Sequence, residues 1–253
     1  MHLALFDLDH TLLDGDSNSL WLAYLVAAGQ LPADVLQRQA AEYARYEAGS
    51  LDIGAYLAFH LSLLSTRPLA EWRGWRDRFV AEAIAPRISR TAFASVDAHR
   101  QRGDRLAIVT ATHDFLAAGI AELFGPLALI APHAEIVGDR LSGRVVGEIS
   151  FGPRKPAAVE AWLTGQGLSL AGFAQVHAYS DSHNDLPLLE LATLPCAVNA
   201  DPALAAHAHR LGWPVQQWRA WPASAQDDAG GDGEHDRAGD PLDAAQVAVE
   251  PGQ

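Results

Sequence analysis

The chain has one cysteine, one methionine and no basic stretch in its 253 residues. A single cysteine excludes an internal disulfide and fits a reducing, cytoplasmic setting. With 18 Lys and Arg against 31 Asp and Glu, nothing offers a surface to nucleic acid or to an anionic membrane. No apolar run reaches the roughly 18 residues that a spanning helix needs, so no membrane segment is expected. The N-terminus has no basic region and meets Asp7 after a short apolar run, so it does not read as a signal peptide.

What is present is a chain 49% hydrophobic, enough for a full core and one further module. Its charge is uneven. Residues 223–253 hold eight acids, one arginine and no aromatics. Such a segment cannot bury enough apolar surface to offset the entropy of ordering, and it is expected to be disordered.

Upstream, short apolar runs alternate with helical patterns. Leu3–Phe6, Leu106–Val109, Leu127–Ala131, Val176–Tyr179 and Cys196–Val198 read as buried strands. Helices are expected over about 113–124, 154–166 and 184–192. Continuous apolar strands between helices predict an α/β fold with a parallel sheet covered on both faces. Residues 135–146, turning at Gly138-Asp139, read as a small hairpin. Residues 14–87 break the alternation with helical patterns at about 19–29, 33–48, 52–64 and 69–86. An all-helical insertion after the first strand leaves from the carboxyl edge, where open α/β sheets bind ligands.

Four motifs sit at those edges. Asp7-Leu8-Asp9-His10-Thr11 follows the first strand, and Thr110 ends Leu106-Ala107-Ile108-Val109. Lys155 opens a helix after Gly152-Pro153-Arg154, and Ser180-Asp181-Ser182-His183-Asn184-Asp185 follows Val176–Tyr179. Two like charges about 4 Å apart repel by roughly 1 kcal/mol in water and several-fold more at an effective dielectric of about 20. Paired acids at a strand end therefore call for a cation or a task. Taken singly, Thr110 ends a strand, Lys155 is a surface lysine, and Asp181 and Asp185 are loop and cap residues. Together they are complementary. Hard carboxylates suit Mg²⁺, an aspartate can attack phosphorus, and a second acid can move a proton. A hydroxyl and an ammonium can hold phosphoryl oxygens. His207 and His209 lack a third ligand and read as surface residues; His183 reads as a solvated loop residue; Trp72 and Trp75 read as helix packing.

In order and placement, these motifs resemble the haloacid dehalogenase superfamily, in the subfamily IB branch that contains phosphoserine phosphatases. The resemblance covers about residues 1–222. It implies a three-layer, Rossmann-like core (1–13 and 88–222) with a helical cap (14–87). Position by position, Asp7 is similar to the nucleophile and Asp9 to the general acid/base. Asp7, the Asp9 carbonyl and Asp181 resemble the Mg²⁺ ligands, with Asp185 acting through a water. Thr110 and Lys155 resemble the phosphate grips.

The cap departs from the branch. Asp16 stands where phosphoserine phosphatases use a glutamate for the substrate ammonium, and Ala58 where they use an arginine for its carboxylate. Arg45 or Arg67 could compensate. With Trp21, Tyr24, Tyr56 and Phe59 nearby, the expected substrate is an amine without a carboxylate. The Leu12–Ser17 and Val109–Thr112 segments are also similar to histidinol-phosphate phosphatases of this branch. The implied activity is hydrolysis of a small phosphorylated metabolite, L-histidinol phosphate first. Phosphoserine, transfer to another alcohol, and a non-catalytic phospho-ligand binder are the alternatives.

Overall fold

Leu3, Ala4, Leu5 and Phe6 are all fully buried, and they alternate between two separate apolar clusters. That is the burial expected of a strand covered on both faces. A computed structural model describes residues 1–47 and 50–219. In it His2–Phe6 forms β1, near the middle of a six-stranded sheet. The others are β2 (Arg105–Val109), β3 (Ala128–Ile130), β6 (Gln175–Ser180), β7 (Leu194–Val198) and β8 (Val215–Gln216). The order is β3-β2-β1-β6-β7-β8, and every pairing is parallel. The chain runs outward one way from β1 and the other way from β6. The crevice beyond the carboxyl ends of these neighbours is the topological switch point where α/β sheets bind ligands.

Helices cover both faces. Ala4 and Phe6 share a cluster with residues of α5 (Arg90–Gln101) and α6 (Asp114–Ala121). Leu3 and Leu5 pack with α7 (Lys155–Thr164), α8 (Leu186–Leu191) and α9 (Pro202–Leu211). The three-layer, Rossmann-like expectation matches this architecture. The sequence pattern assigned no element to residues 90–101, 202–211 or 215–216, where α5, α9 and β8 lie. In α9 the signal was local: Asp201 caps its N-terminus, Pro202 follows, and Gly212 closes it at φ 69°.

Residues 14–87 contain α1 (Ser17–Ala27), α2 (Asp34–Glu47), α3 (Ile53–Leu64) and α4 (Leu69–Phe79), and no strand among the described residues. The helix predicted over 69–86 is regular only to Phe79. A π-turn (Val80–Ile84) and a 3-10 turn (Ala85–Arg87) follow. Pro86 has no N–H to continue the α-helical ladder, so the chain tightens there.

The hairpin forms as expected, from β4 (His133–Val137) and β5 (Arg140–Val146). By position it was assigned with the core, yet it packs on α3. Asp139 accepts from the Leu69 N–H at 2.7 Å, and Arg140 donates to the Thr66 carbonyl at 2.7 Å. Gly143 lies so close to Ser62 that a Cβ would come within 3.4 Å of its Cα. Residues 1–220 group as one compact unit. Residues 223–253, where disorder was expected, lie outside the described residues.

Candidate active site

The loop after β1 is pinned before it carries chemistry. The Asp7 N–H donates to the Tyr179 carbonyl at 2.9 Å. His10 adopts φ 57°, a left-handed conformation that a non-glycine residue holds only under constraint. The constraint is Asn199, whose side-chain amide donates to the His10 carbonyl at 2.7 Å. No sequence motif pointed to Asn199.

Lys155 lies under this loop, at the first turn of α7 and 3% exposed. Its Nζ donates to Asp7 Oδ1 at 2.6 Å and to Asp185 Oδ2 at 2.5 Å. The Ser180 hydroxyl donates to the same Asp185 oxygen at 2.7 Å. Burial disfavours the ammonium, but Asp185 and Asp7 outweigh it and raise its pKa. Lys155 is therefore a buried cation held by two carboxylates, not the surface lysine of the isolated reading.

The Thr11 hydroxyl lies between Asp7 Oδ2 and Asp181 Oδ1, 3.2 Å from each. One hydrogen cannot serve both at once, so two carboxylates face each other with one proton between them. Burial, then Asp7 and Asp185, push the Asp181 carboxyl well above the usual range. This donor set suits a small, hard cation. Asp7 and Asp181 offer carboxylate oxygens on either side of the Thr11 hydroxyl. Among the described residues no three His, Cys, Asp or Glu side chains form a cage. Mg²⁺ does not need one, because it takes one or two carboxylates and completes its shell with water and phosphate.

Asp9 has a separate environment. Its Oδ1 accepts from the Ser17 N–H at 2.7 Å and its Oδ2 from the Thr112 hydroxyl at 2.8 Å. Thr112 is held by the Asn18 amide at 2.9 Å. Burial, with Asp16 and Asp7 close by, pushes the Asp9 carboxyl up to about 7. Thr110 Oγ1 accepts from the Thr112 N–H at 3.0 Å, and the Thr110 carbonyl accepts from Ser150 at 2.5 Å. Asp7, Asp9, Asp16, Thr110, Lys155, Asp181 and Asp185 all line one pocket.

The far wall comes from the insertion. Asp16 caps α1 by accepting from the Ser19 N–H at 2.7 Å. Helix α2 contributes Glu42, Tyr43 and Tyr46; Leu51, Ile53 and Tyr56 follow. The Tyr46 hydroxyl is 3.1 Å from Ser182 Oγ, which ties α2 to the loop carrying Asp181 and Asp185. Burial pushes the Tyr46 phenol up to about 12. The Tyr56 hydroxyl accepts from Gln39 at 3.0 Å, and His60 Nε2 is 2.8 Å from Gln39 Oε1. Burial lowers His60 to about 3, so it is neutral there.

Several expectations for this wall need correction. Ala58 is exposed and points away from the pocket, so its identity says nothing about the ligand. Arg45 pairs with Glu42 from the solvent side, 60% exposed. Arg67 donates to Gln30 at 2.6 Å and lies over the Trp72 ring. Trp21 and Tyr24 pack on Phe79, and Phe59 lies under Arg38; only Tyr56 of the expected aromatic set reaches the pocket. His183 pairs with Asp201 at 2.8 Å. The pocket thus carries six carboxylates, Lys155 as its only lysine, and no arginine among the described residues.

Glu42, Tyr43, Tyr46 and Thr112 join the site without belonging to any of the four motifs. Gln39, Glu42, Tyr43 and Tyr46 recur at i, i+3, i+4 and i+7, the spacing of a buried helical face. Polar and aromatic side chains at that spacing were the available signal.

The model for haloacid dehalogenase-like hydrolases matches residues 4–190. Over 220 residues the chain is 36% identical to a histidinol-phosphatase of Neisseria meningitidis, covering 86% of this chain and 99% of that one. It is 32% identical over 220 residues to a phosphoserine phosphatase of Mycobacterium tuberculosis, covering 85% and 70%. A crystal structure of a Bordetella pertussis protein of unknown function superposes with a TM-score of 0.81 at 40% identity, covering 85% and 97%.

Proposed function

The chain belongs to the haloacid dehalogenase-like hydrolases, and from that premise we propose a Mg²⁺-dependent phosphomonoesterase acting on L-histidinol phosphate. Phosphatase chemistry is the activity class of its relatives. The observation that supports this substrate is the pocket lining beyond the core acids: Asp16 and Glu42, with no arginine among the described residues. A divalent ion and a phosphate dianion offset each other, so the organic part of the substrate must bring positive charge.

Asp7 attacks phosphorus as the ester P–O bond breaks, forming an aspartyl-phosphate. Lys155, 2.6 Å from Asp7, fixes the nucleophile and offers an ammonium to the phosphoryl oxygens. Thr110 is the matching hydroxyl. Asp9 gives its proton to the leaving alkoxide. It then takes a proton from the water that attacks phosphorus, releasing phosphate and regenerating Asp7. A carboxyl near 7 can serve in both directions at neutral pH. Mg²⁺ held by Asp7, Asp181 and the Asp9 carbonyl, with Asp185 beyond a water, would supply positive charge against the phosphoryl oxygens. Residues 14–87 act as the cap that excludes water and selects the ester. Among the described residues no helix is long and apolar enough to cross a membrane; a cytoplasmic role in histidine biosynthesis belongs to the same proposal.

Phosphoserine is the second reading, favoured by the M. tuberculosis relative. Its carboxylate would meet Asp16 and Glu42 with no arginine to pair with. Phosphate release from both esters, with and without Mg²⁺, decides between them. A buried carboxylate without its partner costs about 3 kcal/mol or more, so histidinol phosphate should be favoured by about 100-fold in kcat/KM. A preference for phosphoserine would overturn the substrate assignment, and activity with neither ester would overturn the reading of the cap.

A further inference from the structure

The acidic groups on the pocket wall follow an order. Asp9, at the reacting end, accepts from the Ser17 N–H, and Asp16 accepts from the Ser19 N–H, each at 2.7 Å, so the two acids flank the start of α1. Gln39 of α2 donates to the Ser19 hydroxyl at 2.8 Å and to the Tyr56 hydroxyl at 3.0 Å, and Glu42, one turn farther along α2, lines the same pocket. Glu42 is also oriented for use. Its side chain is 14% exposed, and Oε1 accepts from Arg45 at 2.9 Å from the solvent side. A carboxylate anchored through one oxygen on a pocket wall can accept from a ligand donor with the other. Around it, Tyr56 is held by Gln39, and Gln39 by His60, so the wall beside Glu42 is rigid before any ligand arrives.

We propose that Glu42 is a specificity-determining residue that binds a second hydrogen-bond-donating group of the substrate, distal to the amine met by Asp16. The inference rests on the reading of this pocket as a phosphomonoesterase site. In an ester of the form phosphate–CH₂–CH(NH₃⁺)–CH₂–imidazole, the leaving oxygen lies at Asp9, the ammonium one carbon farther at Asp16, and the ring N–H farther still at Glu42. The order of acids along the wall matches the order of groups along the substrate. Tyr43, on the same face of α2, offers the ring a flat surface.

The test compares kcat/KM for L-histidinol phosphate with that for 2-aminopropyl phosphate, which keeps the ester and the amine but lacks the ring. In Glu42→Gln the ratio should fall about 30-fold, through a higher KM on the ring-bearing ester, as expected when one partner of an enclosed charged pair is removed. In Asp16→Asn both esters should lose activity together, and the ratio should hold within about twofold. Misfolding would lower both esters equally and cannot imitate a change in ratio. A wild-type preference for the ring that survives Glu42→Gln would overturn the role of Glu42 alone. A wild-type ratio near one would overturn the histidinol phosphate reading, and with it any ring contact.

Discussion

Asp9 and Asp7 are two residues apart, yet the proposed mechanism gives them opposite duties. Asp7 is pinned by Lys155 at 2.6 Å and must be ionised to attack. Asp9, pushed up to about 7 by burial and neighbouring acids, is half protonated at neutral pH and can give up a proton. The sign of the pH dependence follows. The acid role needs the protonated form, so kcat on an alkyl phosphate should fall as pH rises through about 7. Asp9→Asn should lower alkyl-ester turnover by about 10²- to 10⁴-fold, but should cost less on p-nitrophenyl phosphate, whose leaving group needs no proton. Equal losses on both esters would contradict the acid role. Asp7→Asn should abolish turnover on either ester while circular dichroism stays native, because Asp185 still pairs with Lys155 at 2.5 Å. The paired motif was legible because two acids at the end of a buried run need a reason. The Asn199 clamp on His10 was not, because nothing local marks an asparagine as the partner of a carbonyl 189 residues earlier.

At the scale of elements, α2 ties residues 14–87 to the loop that carries Asp181 and Asp185. Tyr46 reaches Ser182 at 3.1 Å and packs its ring near Phe151. Tyr46→Phe keeps the ring and removes one hydrogen bond, a loss of about 0.5–1.5 kcal/mol. If that bond positions the Asp181–Asp185 loop, kcat/KM should drop by about 3- to 10-fold while Tm moves by only a few degrees. Wild-type activity in this variant would reduce the contact to simple packing. Strands were easy to locate because a strand buried on both faces is an uninterrupted apolar run, as in Leu3–Phe6. Helix α2 was located but no inward face was assigned to it, because Gln39, Glu42, Tyr43 and Tyr46 look like a solvated face by composition. Placing the arginine position at Ala58 failed for a geometric reason: on α3 it lies beside buried Leu57 and Phe59 but faces solvent. Alignment supplies a position along a helix; the facing depends on how that helix is rolled against its neighbours.

At the scale of the molecule, parallel strand order converts distant sequence into one site. Asp7 and Asp181 meet across one hydroxyl because β1 and β6 are hydrogen-bonded neighbours. The same logic extends to the end of the described chain. β8 ends at Gln216, and Trp218, 2% exposed, packs on Tyr179. The Trp218 N–H donates to Asn199 Oδ1 at 2.7 Å, and the Asn199 amide in turn holds His10. All seven pocket residues named from sequence lie between Asp7 and Asp185. A chain ending at Arg219 should therefore keep kcat/KM within about twofold of the full chain. A chain ending at Gln216 should not. Losing a buried tryptophan costs about 3–5 kcal/mol, and Asn199 would lose the donor that orients it. That truncation should lower Tm and kcat together, through the loop that carries Asp7 and Asp9. The two truncations differ by three residues, so equal behaviour in thermal melts and turnover would refute the link from Trp218 through Asn199 to the catalytic loop. A large loss already at Arg219 would assign residues 220–253 a part in the enzyme that their composition does not suggest.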